Sequence, residues 1–386
     1  MANNEIFKFQ AKTEVIVSDD LIASVLKVAE SERSTKVGVI CDKALSRDKR
    51  MEGLAEALRA KYPIVLTMPE AIEPTTDRVD EVARIFRGKD VDLLVAVGGG
   101  STLDLAKAVS VMAQTEDSVT KYHGTGEPLP PGITKIMVPS TAGTGSEVTP
   151  GAVLVNKETS FKRALGGPQV CPDYAILHAP LTLSMPDHVT ASTGMDALAH
   201  AIESYTARCA NRVTRMYSRE AFALAYNNLP KALRDGGDLE ARRNMLLGSC
   251  LAGFAIFNSN TGACHSMAYP LGIYHEVPHG VAVGLIIPKV VEINIKKGCT
   301  QYAELLDVIE GADRGGDAKT KAARFISLFK DFPALPLING GLSKRGIQKK
   351  DVAFLAERGL DLTPALGNNP VEFTKENAVA VLEQLT

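Results

Sequence analysis

The run Gly194-Met195-Asp196-Ala197-Leu198-Ala199-His200 carries a carboxylate and an imidazole four residues apart in a segment that reads as helix. Residues at i and i+4 share one helical face, so both side chains can reach one ion. Two more histidines stand in short motifs, Cys264-His265-Ser266-Met267 and Val277-Pro278-His279-Gly280. One Asp and three His make a mixed nitrogen and oxygen donor set. Such a set suits Fe, Zn, Ni or Co better than Mg or Ca, and it needs no thiolate. The competing reading is that each is an ordinary core histidine. Helical Asp/His pairs also arise by chance, so spacing by itself leaves both readings open.

A second chemistry is anion binding. The apolar run 93–97 reads as a buried strand and leads into Gly98-Gly99-Gly100-Ser101, after which 102–112 reads as helix. Glycines let backbone amides approach a phosphate, and a helix N-terminus supplies partial positive charge. The spacing is not GxGxxG, and glycine-rich turns also serve packing. A second loop, Pro139-Ser140-Thr141-Ala142-Gly143-Thr144-Gly145-Ser146-Glu147, follows the strand-like 136–138. The hydroxyls of Ser140, Thr141, Thr144 and Ser146 can bond phosphate, ribose or adenine. Two such loops after two strands favour a nucleotide, because ligands bind outside the carboxyl ends of parallel strands. Asp42 ends the strand-like 37–41, where a carboxylate accepts ribose hydroxyls and repels a 2′-phosphate.

Together these motifs resemble the iron-containing (group III) alcohol dehydrogenase family. The resemblance is carried by the run 194–205, His265 with Pro270-Leu271-Gly272, Pro278-His279-Gly280, the glycines 98–100, and Thr141 to Val148. It runs from about residue 10 to the end, with the motifs in order. It implies that Asp196, His200, His265 and His279 are the four metal ligands, with Fe(II) as the metal and Zn as the alternative. It further implies that the 98–101 turn holds the cofactor pyrophosphate and that Asp104 lies near the nicotinamide. Lys162 would lie near the cofactor and Asp42 at the adenosine ribose, which favours NAD over NADP.

The chain departs from the family in three places. Many members carry a proton-relay His four residues after the third ligand, where this chain has Tyr269. A phenol has a much higher reference pKa, so Tyr269 is expected to donate a hydrogen bond or to pack, with His275 as a stand-in relay through water. His178-Ala179-Pro180 stands where Asp-Pro is usual. Asn260 and Thr261 replace apolar residues ahead of His265, which predicts a more polar pocket and a more polar substrate. Arg163 reads as a solvated strand residue. Arg208, Arg212, Arg215 and Arg219 read as one face of a helix, solvated or facing a subunit.

These residues need a scaffold, and the chain is long enough for two domains. Strand-like runs at 37–41, 64–66, 93–97 and 136–138 alternate with amphipathic runs at 51–60 and 77–87. That alternation predicts an α/β domain with a largely parallel sheet. Helical patterns such as 218–229 and 239–257 dominate after Pro186. The expected organisation is an α/β dinucleotide-binding domain over 1–186 and an all-helical metal-binding domain over 187–386. The net charge of −2 argues against a general nucleic-acid binder. No apolar run approaches the roughly 18 residues of a membrane span, and no leader pattern is seen. Six Cys without CxxC spacing read as reduced thiols of a cytoplasmic protein. The expected protein is a metal- and NAD-dependent alcohol dehydrogenase or aldehyde reductase for a small alcohol or aldehyde, assembled as a homodimer or higher homo-oligomer. A transhydrogenase or a lyase of the dehydroquinate synthase kind, using NAD transiently, is the first alternative. A non-catalytic metal- or nucleotide-binding protein is the second.

Overall fold

The computed structural model describes residues 6–70, 73–159, 161–338 and 341–386. It divides into two compact units. One comprises Ala11–Thr141 and Gly145–Thr182; the other comprises Leu183–Thr386, Ala142–Thr144 and a segment ending at Gln10.

The first unit is built on β1 (Glu14–Val17), β2 (Val37–Cys41), β3 (Ile64–Thr67), β4 (Leu93–Gly98), β5 (Thr134–Pro139) and β8 (Tyr174–Leu177). These form one sheet in the order β1-β8-β5-β4-β2-β3, every neighbouring pair parallel. Alternation along β2 and β4 explains the layering. Val37, Val39, Val95 and Val97 point to one face, where α1 (Leu21–Ser31) and α2 (Lys49–Lys61) supply Val25, Val28, Leu54 and Leu58. Ile40, Leu94 and Ala96 point to the other, where α3 (Thr76–Phe86) and α4 (Gly100–Met112) supply Val79, Phe86, Leu103 and Val109. A parallel sheet covered on both faces requires such continuous apolar strands. The hairpin β6 (Gly151–Asn156) and β7 (Phe161–Gly166) is antiparallel and separate from the sheet.

The strand order places the sheet's switch point. From β2 the chain crosses to β3 on one side, and from β4 it crosses to β5 on the other. The carboxyl ends of β2 and β4 therefore flank the crevice where open α/β sheets bind ligands. Asp42 follows β2 there, and its amide donates to the Val97 carbonyl at 2.8 Å. Gly98 ends β4 opposite Pro139 of β5.

The second unit is helical among its described residues. It contains α5 (Asp187–Thr206), α6 (Arg212–Arg234), α7 (Leu239–Ser259), α8 (Ala263–His275) and α9 (His279–Lys296), followed by further helices of 13 residues or fewer. Every residue of α5 from Gly194 to Thr206 is buried, so α5 is the unit's central rod. Glycines let neighbours approach it. A Cβ at Gly194 would lie 2.6 Å from Leu229 of α6, and one at Gly280 would lie 2.4 Å from the Ser192 carbonyl oxygen of α5. A backbone atom cannot step aside as a side chain can. Gly280→Ala should therefore destabilise this unit by about 1–3 kcal/mol. That is a loss of several degrees in the melting temperature of the metal-free protein. An unchanged melt would contradict the close approach.

The structure adds to the sequence-based expectations and corrects some. The short strands β1 and β8 were not expected, since four-residue strands carry little periodicity, and the strand read at Arg163 proves to be half of the β6–β7 hairpin. Arg208 lies ahead of α6, which Asn211 caps through the Val213 and Thr214 amides, so the four arginines do not share one helix. No helix among the described residues is long and apolar enough to cross a membrane.

Candidate metal and cofactor sites

Asp196 and His200 lie one turn apart on α5, His265 in the first turn of α8, and His279 opens α9. The three helices bring them together. Asp196 Oδ1 lies 3.8 Å from His200 Nε2, 3.4 Å from His265 Nε2 and 3.7 Å from His279 Nε2. The donor atoms of Asp196, His265 and His279 all fall within 4.8 Å of one another. The His200 ring stacks on His265 with centroids 4.5 Å apart. Four donors at about 2.0–2.2 Å from one tetrahedral ion would stand roughly 3.4 Å apart, so the cluster is close to the size of a metal site.

Hydrogen bonding fixes which nitrogens face inward. His200 Nδ1 donates to the Gly143 carbonyl at 3.2 Å. A carbonyl only accepts, so the proton sits on Nδ1. Gly143 reaches this position because it has no side chain; a Cβ there would lie 2.8 Å from Thr193 of α5. His265 Nδ1 donates to Glu203 Oε2 at 2.5 Å. Asp196 Oδ1 and His265 Nε2 are buried without a hydrogen-bond partner. With His265 neutral, as a metal ligand must be, two buried acceptors face each other there, which is costly unless a cation lies between them. The residues present fit a divalent metal.

The charges agree with this. Burial opposes ionisation of Asp196, but His200, His265 and His279 outweigh it and hold its carboxyl below the usual range. Burial holds the His200 imidazole below its usual value. Burial also opposes charge on His265, yet the Glu203 and Asp196 carboxylates overcome it and push its pKa up to about 9. A bound divalent cation would take the place of that proton.

Tyr269 stacks on His279 with centroids 5.7 Å apart, so it is beside the cluster. His275 is the last residue of α8, ten positions after His265, and half-buried. The expectation for Asn260 is corrected. It terminates α7 at φ 60°, is exposed, and its carboxamide accepts from the Thr261 amide at 2.8 Å. Asn368 holds the Ser259 and Thr261 carbonyls. These polar residues end a helix, and Asn260 serves the backbone rather than making a pocket polar.

The second constellation surrounds the switch point of the sheet. The N-terminus of α4 opens at Gly100 and Ser101 with no side-chain cap on its first amides. Gly98 and Gly99 each allow a close approach. A Cβ would come 2.6 Å from Thr102 at Gly98 and 3.3 Å from Thr141 at Gly99. The Ser140 amide donates to the Gly98 carbonyl, tying the two loops together. Asp42 is buried and accepts from the Ala44 amide at 2.9 Å; burial raises its pKa and that bond opposes the rise. Lys43 pairs with Glu70, so its charge is already engaged.

Asp104 is braced from three sides. Ser146 Oγ donates to Oδ1 at 2.6 Å, the Val153 amide to Oδ2 at 3.0 Å, and Lys107 pairs with Oδ1 at 2.9 Å. Lys107 is fully buried and also donates to the Ser146 carbonyl. Neither Lys107 nor Glu203 was expected from sequence. Glu203 had a readable signal, since it lies three residues after His200 on the same helical face. Ala142, Gly143 and Thr144 group with the helical unit, and the flanking parts of the loop with the sheet unit. Lys162, on β7, pairs with Glu73. Arg163 is exposed on the same strand.

The chain is similar to known proteins along both of its halves. The model of the iron-containing alcohol dehydrogenases matches residues 12–179, and that of the C-terminal part of the Fe-containing alcohol dehydrogenase family matches 190–386. Sulfoacetaldehyde reductase of Bilophila wadsworthia is 31% identical over 354 residues, 91% of this chain and 92% of that protein. The 1,3-propanediol dehydrogenase of Klebsiella pneumoniae is 33% identical over 346 residues, 87% and 86%. Among solved structures, a 1,3-propanediol oxidoreductase gives a TM-score of 0.89 at 29% identity, covering 99% of this chain and 100% of that one. A sulfoacetaldehyde reductase of Bifidobacterium kashiwanohense, solved in complex with NAD+, gives 0.89 at 28% identity, with 98% of each chain covered. With one family matched over both halves and relatives above 30% identity along most of their length, this chain belongs to the iron-containing alcohol dehydrogenase family.

Proposed function

We propose that this protein is a metal- and NAD-dependent alcohol dehydrogenase that interconverts a small alcohol and its aldehyde. The observation that carries the reading is the convergence of one buried carboxylate oxygen with the nitrogens of two buried imidazoles and one half-buried one, with Asp196 Oδ1 and His265 Nε2 lacking a hydrogen bond. Asp196, His200, His265 and His279 would hold Fe(II), with Zn(II) as the alternative. When bound, such a metal supplies Lewis acidity toward a substrate oxygen, and the nicotinamide supplies or accepts the hydride.

The chain's own residues orient and select. Gly143 and Glu203 hold the Nδ1 protons of His200 and His265, so a cation that displaces the Nε2 proton of His265 would meet both Nε2 atoms as lone pairs. Tyr269, beside His279, is the residue we place next to the substrate, as a hydrogen-bond donor. In the sheet unit, Gly98 to Ser101, Ser140 and Thr141 would receive the cofactor phosphates and Asp42 the ribose hydroxyls, while Ser146 would serve the cofactor through Asp104, to which its hydroxyl donates. Thr144 is assigned to the cofactor from its loop, Lys162 from the family, and Asp104 as a braced carboxylate near the nicotinamide. The substrate we propose is an aldehyde with a second polar group, since relatives are named for sulfoacetaldehyde and 1,3-propanediol. Six cysteines without CxxC spacing support a cytoplasmic location, and a homodimer or higher homo-oligomer is proposed as the assembly.

The test is NADH oxidation by protein loaded anaerobically with Fe(II), or with Zn(II), using butanal, glycolaldehyde, succinic semialdehyde and sulfoacetaldehyde. NADH should be consumed with aldehyde, with a polar aldehyde preferred over butanal. NADPH should be used on the order of tenfold less well, about 1.4 kcal/mol of discrimination by Asp42. No consumption across the panel with either metal would contradict the function. Equal use of NADPH would remove the role given to Asp42.

A further inference from the structure

The helices that open at candidate ligands lack a side-chain cap of their own. In α8 the missing cap comes from another helix. Glu203 of α5 accepts from the Cys264 amide through Oε1 at 2.7 Å and from His265 Nδ1 through Oε2 at 2.5 Å. Gly262 makes room for this, because a Cβ there would come within 2.9 Å of Oε1. Glu203 is buried, and both of its oxygens are engaged with α8. Asp196, His200 and Glu203 lie at i, i+4 and i+7 of α5 and so share its face.

We infer that Glu203 is the positioning residue of the metal centre: one carboxylate both seats the first turn of α8 and holds His265 with Nε2 aimed at Asp196. The inference rests on the ligand set proposed above. Two properties of a carboxylate matter. It accepts at both oxygens, so it can satisfy two donors at once. Its charge also makes the imidazole a better electron donor, as outer partners of ligating histidines do. Glu203, Cys264 and His265 are close enough to resemble a second metal cluster. The hydrogen shared between Glu203 Oε2 and His265 Nδ1 excludes an ion from that position.

A carboxamide cannot reproduce the arrangement. If the side chain in Glu203→Gln kept the Cys264 amide on its oxygen, its NH2 would face Nδ1 and drive the ring proton onto Nε2, the atom that must stay bare. If it kept Nδ1 on its oxygen, its NH2 would oppose the Cys264 N–H. Either way the ligand or its helix is lost from register.

The experiment measures the dissociation constant for Zn(II), by competition with a chelator, for wild type, Glu203→Gln, Glu203→Asp and Asp196→Asn. The absorption of the Co(II)-loaded proteins and the melting of the metal-free proteins are recorded alongside. Glu203→Gln should bind about 10–100-fold more weakly, with a shifted Co(II) ligand-field spectrum. Glu203→Asp keeps the charge but is one methylene too short to reach both donors, and should also bind more weakly. Should Glu203→Gln fail to fold, Glu203→Asp carries the test. Wild-type affinity and spectrum in the glutamate variants, with binding lost in Asp196→Asn, would overturn the inference alone. Wild-type affinity in Asp196→Asn as well would instead overturn the ligand set.

Discussion

Asp196→Asn should bind Fe(II) or Zn(II) more than 100-fold more weakly than wild type while keeping its fold. Asp196 Oδ1 is the one atom that all three imidazole nitrogens approach, at 3.4 to 3.8 Å. Loss of an outer partner of a ligand costs roughly 10–100-fold in metal affinity, so loss of the anionic ligand itself should cost more. Asparagine has the same shape, which spares the packing of α5. Its NH2 can donate to an imidazole nitrogen that otherwise faces a carboxylate, so the metal-free protein should melt within a few degrees of wild type. Aldehyde reduction should fall with metal content, and added Fe(II) should not restore it. Full metal occupancy in this variant would contradict the site.

Gly99→Val should weaken NADH binding by about 10–100-fold and leave metal content unchanged. The residue sits between β4 and α4 at the switch point of the sheet, just ahead of the first uncapped amides of α4. A Cβ there already comes 3.3 Å from Thr141, so a branched side chain must move either the loop or the ligand. Hydrogen bonds to a charged group are worth about 1.5–3 kcal/mol, and losing one accounts for that range. The effect should appear in fluorescence titration with NADH. Binding within twofold of wild type would show that the glycine serves packing alone. The two variants act on different units, so each is a control for the other.

Much of this was legible in the sequence where one element carries the signal. The strands 37–41 and 93–97 were readable because both faces are covered and the apolar run is continuous. Asp196 and His200 were readable because a helix has a fixed period. Their meeting with His265 and His279 depends on how α8 and α9 dock on α5, which no local pattern encodes. Glu203 lies in the same motif run, yet its role appears only when α8 supplies the two donors it accepts from. Gly143 was hidden for another reason: its function is a backbone carbonyl, and any residue has one. Asn260 misled because a polar residue near a ligand can serve the backbone; here it ends α7 at a positive φ. Lys162 was drawn from the family resemblance, and its pairing with Glu73 joins segments far apart in the chain.

The most direct test is anaerobic metal analysis of purified wild-type protein, stripped with chelator and then titrated with Fe(II), with NADH-dependent aldehyde reduction followed at each point. Activity should be absent in the stripped protein and rise linearly to a sharp end at one Fe(II) per chain. Aldehyde reduction that persists at full rate without metal, or a titration with no end point near one, would contradict a single metal centre at Asp196, His200, His265 and His279.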